Sequence, residues 1–222
     1  MRIGQGVNSY EWVDHWANIP ATESAKMGWA HPGIVVTESG DVITIHPGDP
    51  SVLVLDGAGN VKRTWDLEVA DAHGITLVKE GASEYLWIAD NGLKRQFRLG
   101  YDYRSAKIPY PGQVVKTDLD GRIITTLQRP DLAIYREGNY SPTFVAVNEE
   151  LHGGNGDIWV ADGYGQSYVH RYNKTGEYIS SINGEEGRAG RFNCPHGIFI
   201  DRRKNEPELY VADRANRRVQ VY

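Results

Sequence analysis

The side chains best able to do chemistry in this 222-residue chain fall at repeated positions. His73, in His73-Gly74-Ile75-Thr76-Leu77, lies 17 positions before Asp90, and His196, in Pro195-His196-Gly197-Ile198, lies 17 positions before Asp213. Tyr164 follows in the phrase Asp162-Gly163-Tyr164, and Arg214 follows Asp213 directly. An imidazole can hold a metal or move a proton near neutral pH. A phenol can take or give a proton if a metal or guanidinium tunes it. A guanidinium can grip a carboxylate through two parallel hydrogen bonds. Each has a plainer role beside these: polar lining for the histidines, an exposed aromatic for Tyr164, and an ion pair with a neighbouring aspartate for Arg214.

The elements that must position these residues are short strands. Ile34–Val36, Val42–Ile45, Val52–Leu55 and Val61–Trp65 read as a first four-stranded sheet, separated by turn-forming Ser39-Gly40-Asp41, His46-Pro47-Gly48 and Asp56-Gly57. A second sheet comprises 75–78, 85–89, 113–116 and 122–125, and a third 144–147, 157–161, 168–172 and 177–180. A fourth begins at 198–201 and continues through 209–213 and 218–222. The last three sheets open near His73-Gly74, Pro142-Thr143 and His196-Gly197. His31 before the first, in Ala30-His31-Pro32-Gly33, is offset by one from the His-Gly phrase and is not counted as a ligand. The second strand of the last three ends in Ala-Asp: Asp90, Asp162 and Asp213. Tandem four-stranded antiparallel units without a helical period predict an all-β propeller, one domain over 1–222. The blades fall near 31–70, 71–130, 140–185 and 192–222, about four in all, and read as a fragment of a larger ring, with a closed four-blade ring as the alternative.

The N-terminal segment 1–30 holds one alternating stretch, Tyr10–Trp16, expected to be a strand with a distant partner and able to latch the last blade by supplying its fourth strand. The insertion Asn91–Pro111, with Tyr101, Tyr103 and Tyr110, is expected to be an exposed loop on the face of Tyr164, a lid or a surface for another protein. Trp87 and Trp159 share one strand position and are expected between blades. The strand-end aspartates are expected to bond amides of the following turns.

Composition sets limits. With 40% hydrophobic and 24% charged residues, the chain is globular rather than disordered. A formal net charge of −5 speaks against nucleic acid and anionic membrane as partners. The single cysteine, Cys194, forms no internal disulfide and reads as a small buried residue. The start lacks the apolar core of a signal peptide, so a cytoplasmic protein is expected.

The phrases Ile198-Phe199-Ile200-Asp201 and Leu209-Tyr210-Val211-Ala212-Asp213-Arg214-Ala215-Asn216-Arg217-Arg218-Val219-Gln220-Val221-Tyr222 resemble NHL-repeat propellers. More narrowly, from about Gly33 to Tyr222, the chain resembles the lyase domain of peptidylglycine α-amidating enzymes, a six-bladed propeller. That resemblance implies a zinc ion held by three histidines from alternate blades, matched here by His73 and His196, with the third beyond this chain. It implies Tyr164 as catalytic tyrosine and Arg214 as catalytic arginine, acting on a small-molecule or peptide substrate. A further arginine of the family falls where this sequence has Pro47, which departs from the pattern.

Blades of a six-membered ring stand about 60° apart, so alternate blades direct side chains at one axial point from about 120°. Imidazoles so placed leave an open zinc position. On this geometry His73 and His196 point at the axis without touching, the channel lying between them. Two functions follow: an amidating-lyase-like enzyme releasing an amide and glyoxylate, or a non-catalytic NHL scaffold binding a peptide, protein or sugar. A calcium-dependent lactonase-type propeller ranks behind both, because the inner strand starts offer His and Thr rather than a carboxylate cluster.

Overall fold

The computed structural model describes residues 1–23, 25, 33–46, 48, 51–67, 69, 71–92, 111–204 and 206–222. Within these, the strands assemble as the alternation predicts. Blade one is β3 (Ile34–Val36), β4 (Val42–Ile45), β5 (Val52–Leu55) and β6 (Val61–Trp65), each antiparallel to the next. Blade two is β7 (Ala72–Glu80), β8 (Ser83–Asp90), β9 (Gln113–Asp118) and β10 (Ile123–Leu127). Blade three is β11 (Phe144–Val147), β12 (Ile158–Asp162), β13 (Tyr168–Tyr172) and β14 (Tyr178–Ile182). Blade four has three strands, β15 (Pro195–Asp201), β16 (Glu208–Asp213) and β17 (Arg218–Val221). The result is a partial β-propeller.

The remaining strands, β1 (Arg2–Gln5) and β2 (Asn8–Glu11), correct the latch expectation. They pair with each other in an exposed hairpin, Arg2 opposite Glu11, and supply nothing to blade four. A two-residue turn closes that pairing locally, at a far smaller entropic cost than a partner some two hundred residues away. Trp16 instead lies on blade one, its indole N–H donating to the Gly57 carbonyl at 3.3 Å, packed with Ala17 against Val42, Leu53 and Leu55.

Strand alternation explains the core, because each sheet has an apolar set on both faces. Ile43, Ile45, Val52 and Val54 of blade one meet Ile75, Leu86, Ile88 and Val115 of blade two. The other face of blade two, with Val78, Trp87 and Val114, meets Val145, Ile158 and Val160 of blade three. Ala146, Ala161 and Val169 of blade three then meet Ile198, Ile200, Leu209 and Val211 of blade four. Trp87 is buried between blades and Trp159 packs beside the blade three–four cluster, as their shared position predicts. Phe199, Val219 and Val221 lie on the far face of blade four and are exposed. His31, Pro47 and residues 93–110 of the expected lid lie outside the described residues.

Candidate functional site

The strand-end aspartates frame the site. Asp90 Oδ1 accepts from the amides of Asp71 (2.7 Å) and Gly92 (3.0 Å). Asp162 accepts from Ser141 N–H (2.7 Å) and Gln166 N–H (2.7 Å), and Asp213 from Asn193 N–H (2.7 Å). The following-turn amides were legible in sequence for Asp90 and Asp162. The amides of the segments leading into the inner strands (Asp71, Ser141 and Asn193) were not. Through them, each carboxylate ties the end of a second strand to the entry of the first strand of the same blade.

At those entries β7 and β15 each carry a bulge. Ala72 pairs with Asp90 but Ile75 with Ile88, and Pro195 pairs with Asp213 but Gly197 with Ala212. The extra residue falls at His73-Gly74 in one case and at His196 in the other. A bulge leaves a residue out of the ladder and re-aims its side chain. In blade three no shift separates β11 from β12, and Thr143 stands at the corresponding place.

The four residues expected to do chemistry are brought together. His73 is buried, His196 and Tyr164 are half-buried, and Arg214 is exposed. The Tyr164 phenol lies 2.9 Å from His196 Nε2 and 3.3 Å from His73 Nε2, and Arg214 Nη1 donates to it at 3.3 Å. The guanidinium carbon also stands 5.5 Å from the Tyr164 ring centre. Arg214 thus serves the phenol rather than a neighbouring blade's aspartate, and it is Arg218 that pairs with Asp213, at 2.7 Å.

The two imidazoles correct one expectation. Their ring centres are 4.7 Å apart, edge to face, so they touch. Both bulged segments direct their histidines at Tyr164, and at the corresponding place of the intervening blade stands Thr143, its hydroxyl turned back on backbone carbonyls.

Proton positions follow from the partners. His73 Nδ1 lies 2.9 Å from the Thr143 carbonyl, which can only accept, so Nδ1 carries the proton and the Nε2 lone pair faces Tyr164. With one phenolic proton, both imidazole contacts are satisfied when His196 Nε2–H donates to the phenol oxygen and the phenol donates to His73. Burial pushes the Tyr164 phenol up, and Arg214 only partly offsets this, so the group is a proton donor at neutral pH. Cys194, at positive φ (62°), is half-buried rather than buried; burial raises its thiol and its carbonyl accepts from Arg214 N–H.

These residues fit two corners of a metal site. A histidine whose Nδ1–H is held by a carbonyl and whose Nε2 carries no proton is oriented as metal-ligating histidines are. Binding through both Nε2 atoms requires His196 in the same tautomer. Among the described residues no group of three His, Cys, Asp or Glu could complete the site.

A buried relay beneath the site was not legible in sequence. Tyr135 O–H donates to Asp162 Oδ2 (2.6 Å), so Tyr135 accepts from His170 Nε2–H (2.6 Å), and His170 Nδ1 accepts from Ser181 O–H (2.7 Å). Burial lowers His170 to about 3 and, as the largest cause, raises Tyr135 and Asp162. His170 therefore stays neutral and is a poor base; the chain of bonds braces Asp162, two residues from Tyr164.

No family model matches the chain. Among curated proteins it is 27% identical over 177 residues to NHL repeat-containing protein 3 of Homo sapiens, covering 78% of this chain and 45% of that protein. It is 26% identical over 154 residues to peptidyl-glycine alpha-amidating monooxygenase B of Xenopus laevis, covering 68% of this chain and 15% of that protein. Over 83 residues it is 37% identical to a probable peptidyl-alpha-hydroxyglycine alpha-amidating lyase of Caenorhabditis elegans, 36% of this chain and 22% of that one. The chain thus spans less than half the length of these relatives. Among solved structures, a protein of unknown function from Bacteroides caccae superposes with a TM-score of 0.52 at 14% identity, covering 83% of this chain and 57% of that one. The likeness to NHL and amidating-lyase propellers agrees with the repeat phrases, and the superposition supports the propeller fold.

Proposed function

We propose that this chain carries part of the active site of a metal-dependent lyase resembling peptidyl-α-hydroxyglycine amidoglycolate lyase. The observation that supports it is the meeting of His73 Nε2, His196 Nε2 and Arg214 at one phenol, Tyr164. The two Nε2 atoms would hold zinc, which when bound polarises the substrate's hydroxyl. Arg214, exposed beside the phenol, binds the substrate carboxylate.

In the reaction the C–N bond of the carbinolamide breaks, the hydroxyl loses its proton as the glyoxylate carbonyl forms, and the amide nitrogen gains one. Tyr164, held protonated by burial, gives its proton to the departing nitrogen and is restored by the hydroxyl proton. The full-length protein incubated with an α-hydroxyglycine peptide and zinc should release glyoxylate, and Tyr164→Phe should lower the rate by about 100-fold or more. No glyoxylate from the zinc-supplied protein would rule the reading out.

A scaffold reading is favoured by a different observation. A groove of about 310 Å³ lies between blades two and three, at the end of β7 away from His73. Val78, Trp87 and Ile158 floor it, and exposed Leu151 stands at its rim. A peptide and glycan array probed with wild type and Leu151→Glu tests this; a binder insensitive to Leu151→Glu would place recognition elsewhere.

A further inference from the structure

We infer that Thr143 is a positioning residue for both imidazoles of the site, an inference that rests on the metal-site reading above. Its two polar atoms reach different histidines by different routes. The carbonyl accepts the His73 Nδ1 proton at 2.9 Å, which fixes the tautomer and leaves Nε2 unprotonated. The hydroxyl donates to the Pro195 carbonyl at 3.0 Å and approaches that of Ala161 at 3.2 Å. Pro195 immediately precedes His196 at the mouth of the β15 bulge. The bulge turns His196 out of the regular ladder, and the bond to the carbonyl just before it fixes the backbone from which the ring departs.

The surroundings are shaped for this contact. Thr143 is fully buried. A Cβ on Gly74 would come within 2.5 Å of the Thr143 carbonyl, and one on Gly163 within 2.2 Å of the Pro195 carbonyl and 2.7 Å of the Thr143 hydroxyl. Only glycine at both places lets three blades meet at one threonine. Valine keeps the shape and the backbone carbonyl but loses the hydroxyl, which leaves the Pro195 carbonyl short of a donor. The two histidines are therefore separable: losing the hydroxyl should disturb His196 and spare the His73 tautomer.

The test uses the full-length protein, wild type against Thr143→Val, Thr143→Ala and Thr143→Ser. Long-range ¹H–¹⁵N imidazole spectra without metal read the tautomer and environment of each histidine, and cobalt(II) titration reads affinity. Val and Ala should keep the His73 Nδ1–H tautomer, shift the His196 resonances and weaken cobalt binding about tenfold or more; Ser should resemble wild type. Thr143→Ala adds no methyl against two carbonyls and keeps the comparison open if the valine variant misfolds. Unmoved His196 resonances in Val and Ala, or Ser behaving like Ala, would overturn the assignment. A wild type that binds no cobalt defeats the metal reading instead, and the metal-free spectra then decide the role of Thr143 by themselves.

Discussion

His73 and His196, from blades two and four, stand edge to face with ring centres 4.7 Å apart. Their Nε2 atoms converge on the same phenol oxygen. Residues 123 positions apart in sequence thus form one cluster, and Thr143 of the blade between them bonds one of the two rings.

That cluster sets the first expectation. Zinc should bind this chain weakly through two imidazoles, and His196→Ala should abolish the binding. Cys194→Ala should leave it unchanged, because the thiol belongs to no three-residue ligand group among the described residues. Zinc binding requires both imidazoles to be neutral. Calorimetric zinc titration checks it; equal affinity in His196→Ala would make the histidines polar lining only.

The inter-blade faces give a stability contrast between neighbours. Ile198 is buried against blade three at 5% exposure, while Phe199, next in the strand, points away and is 65% exposed. Ile198→Ala should cost about 2–5 kcal/mol, and Phe199→Ala within about 0.5 kcal/mol. Urea unfolding of the two variants measures this. Similar losses from both would mean that the far face of blade four is covered in solution.

Those strands were readable because alternation with a period of two depends only on neighbours in sequence. The antiparallel sheets and the burial of Trp87 followed from it. The same pattern marks a strand without naming its partner, so a distant partner for Tyr10–Trp16 is the expectation while the observed hairpin closes on itself. The site was legible only as residue types at repeated intervals. The contact between His73 and His196 depends on two bulges, and the His73 tautomer on a carbonyl 70 positions away, neither of which leaves a local sequence signal. Tyr135 carries no such signal either: it comes from a 3₁₀ turn (Ala133–Tyr135) between blades and meets Asp162 and His170 only in the fold.

That turn carries the next prediction. Tyr135→Phe removes the hydroxyl that donates to Asp162 and accepts from His170. It leaves a buried carboxylate oxygen with fewer donors and a buried imidazole N–H unpaired, at a cost of about 1–3 kcal/mol or more. Asp162 also holds the Gln166 amide beyond Tyr164, so the variant should shift the Tyr164 ring resonances as well as the unfolding midpoint. A change in midpoint with Tyr164 unmoved would confine the relay to stability.

The same relay sets an acid sensitivity. His170 is lowered by burial to about 3 from its ordinary 6.5. Between those values the unfolded chain binds a proton at this residue that the folded chain does not. Unfolding therefore takes up protons, and stability falls as pH drops from about 6.5 toward 3, by at most about 1.4 kcal/mol per pH unit. Asp162, raised by its own burial, works in the opposite direction, so the His170 part must be read as a difference. Urea unfolding at pH 7, 6, 5 and 4 should show a shallower acid loss in His170→Gln than in wild type, even if the variant starts less stable at pH 7. Parallel pH profiles would mean that the His170 proton affinity is the same folded and unfolded, and that the relay opens to water.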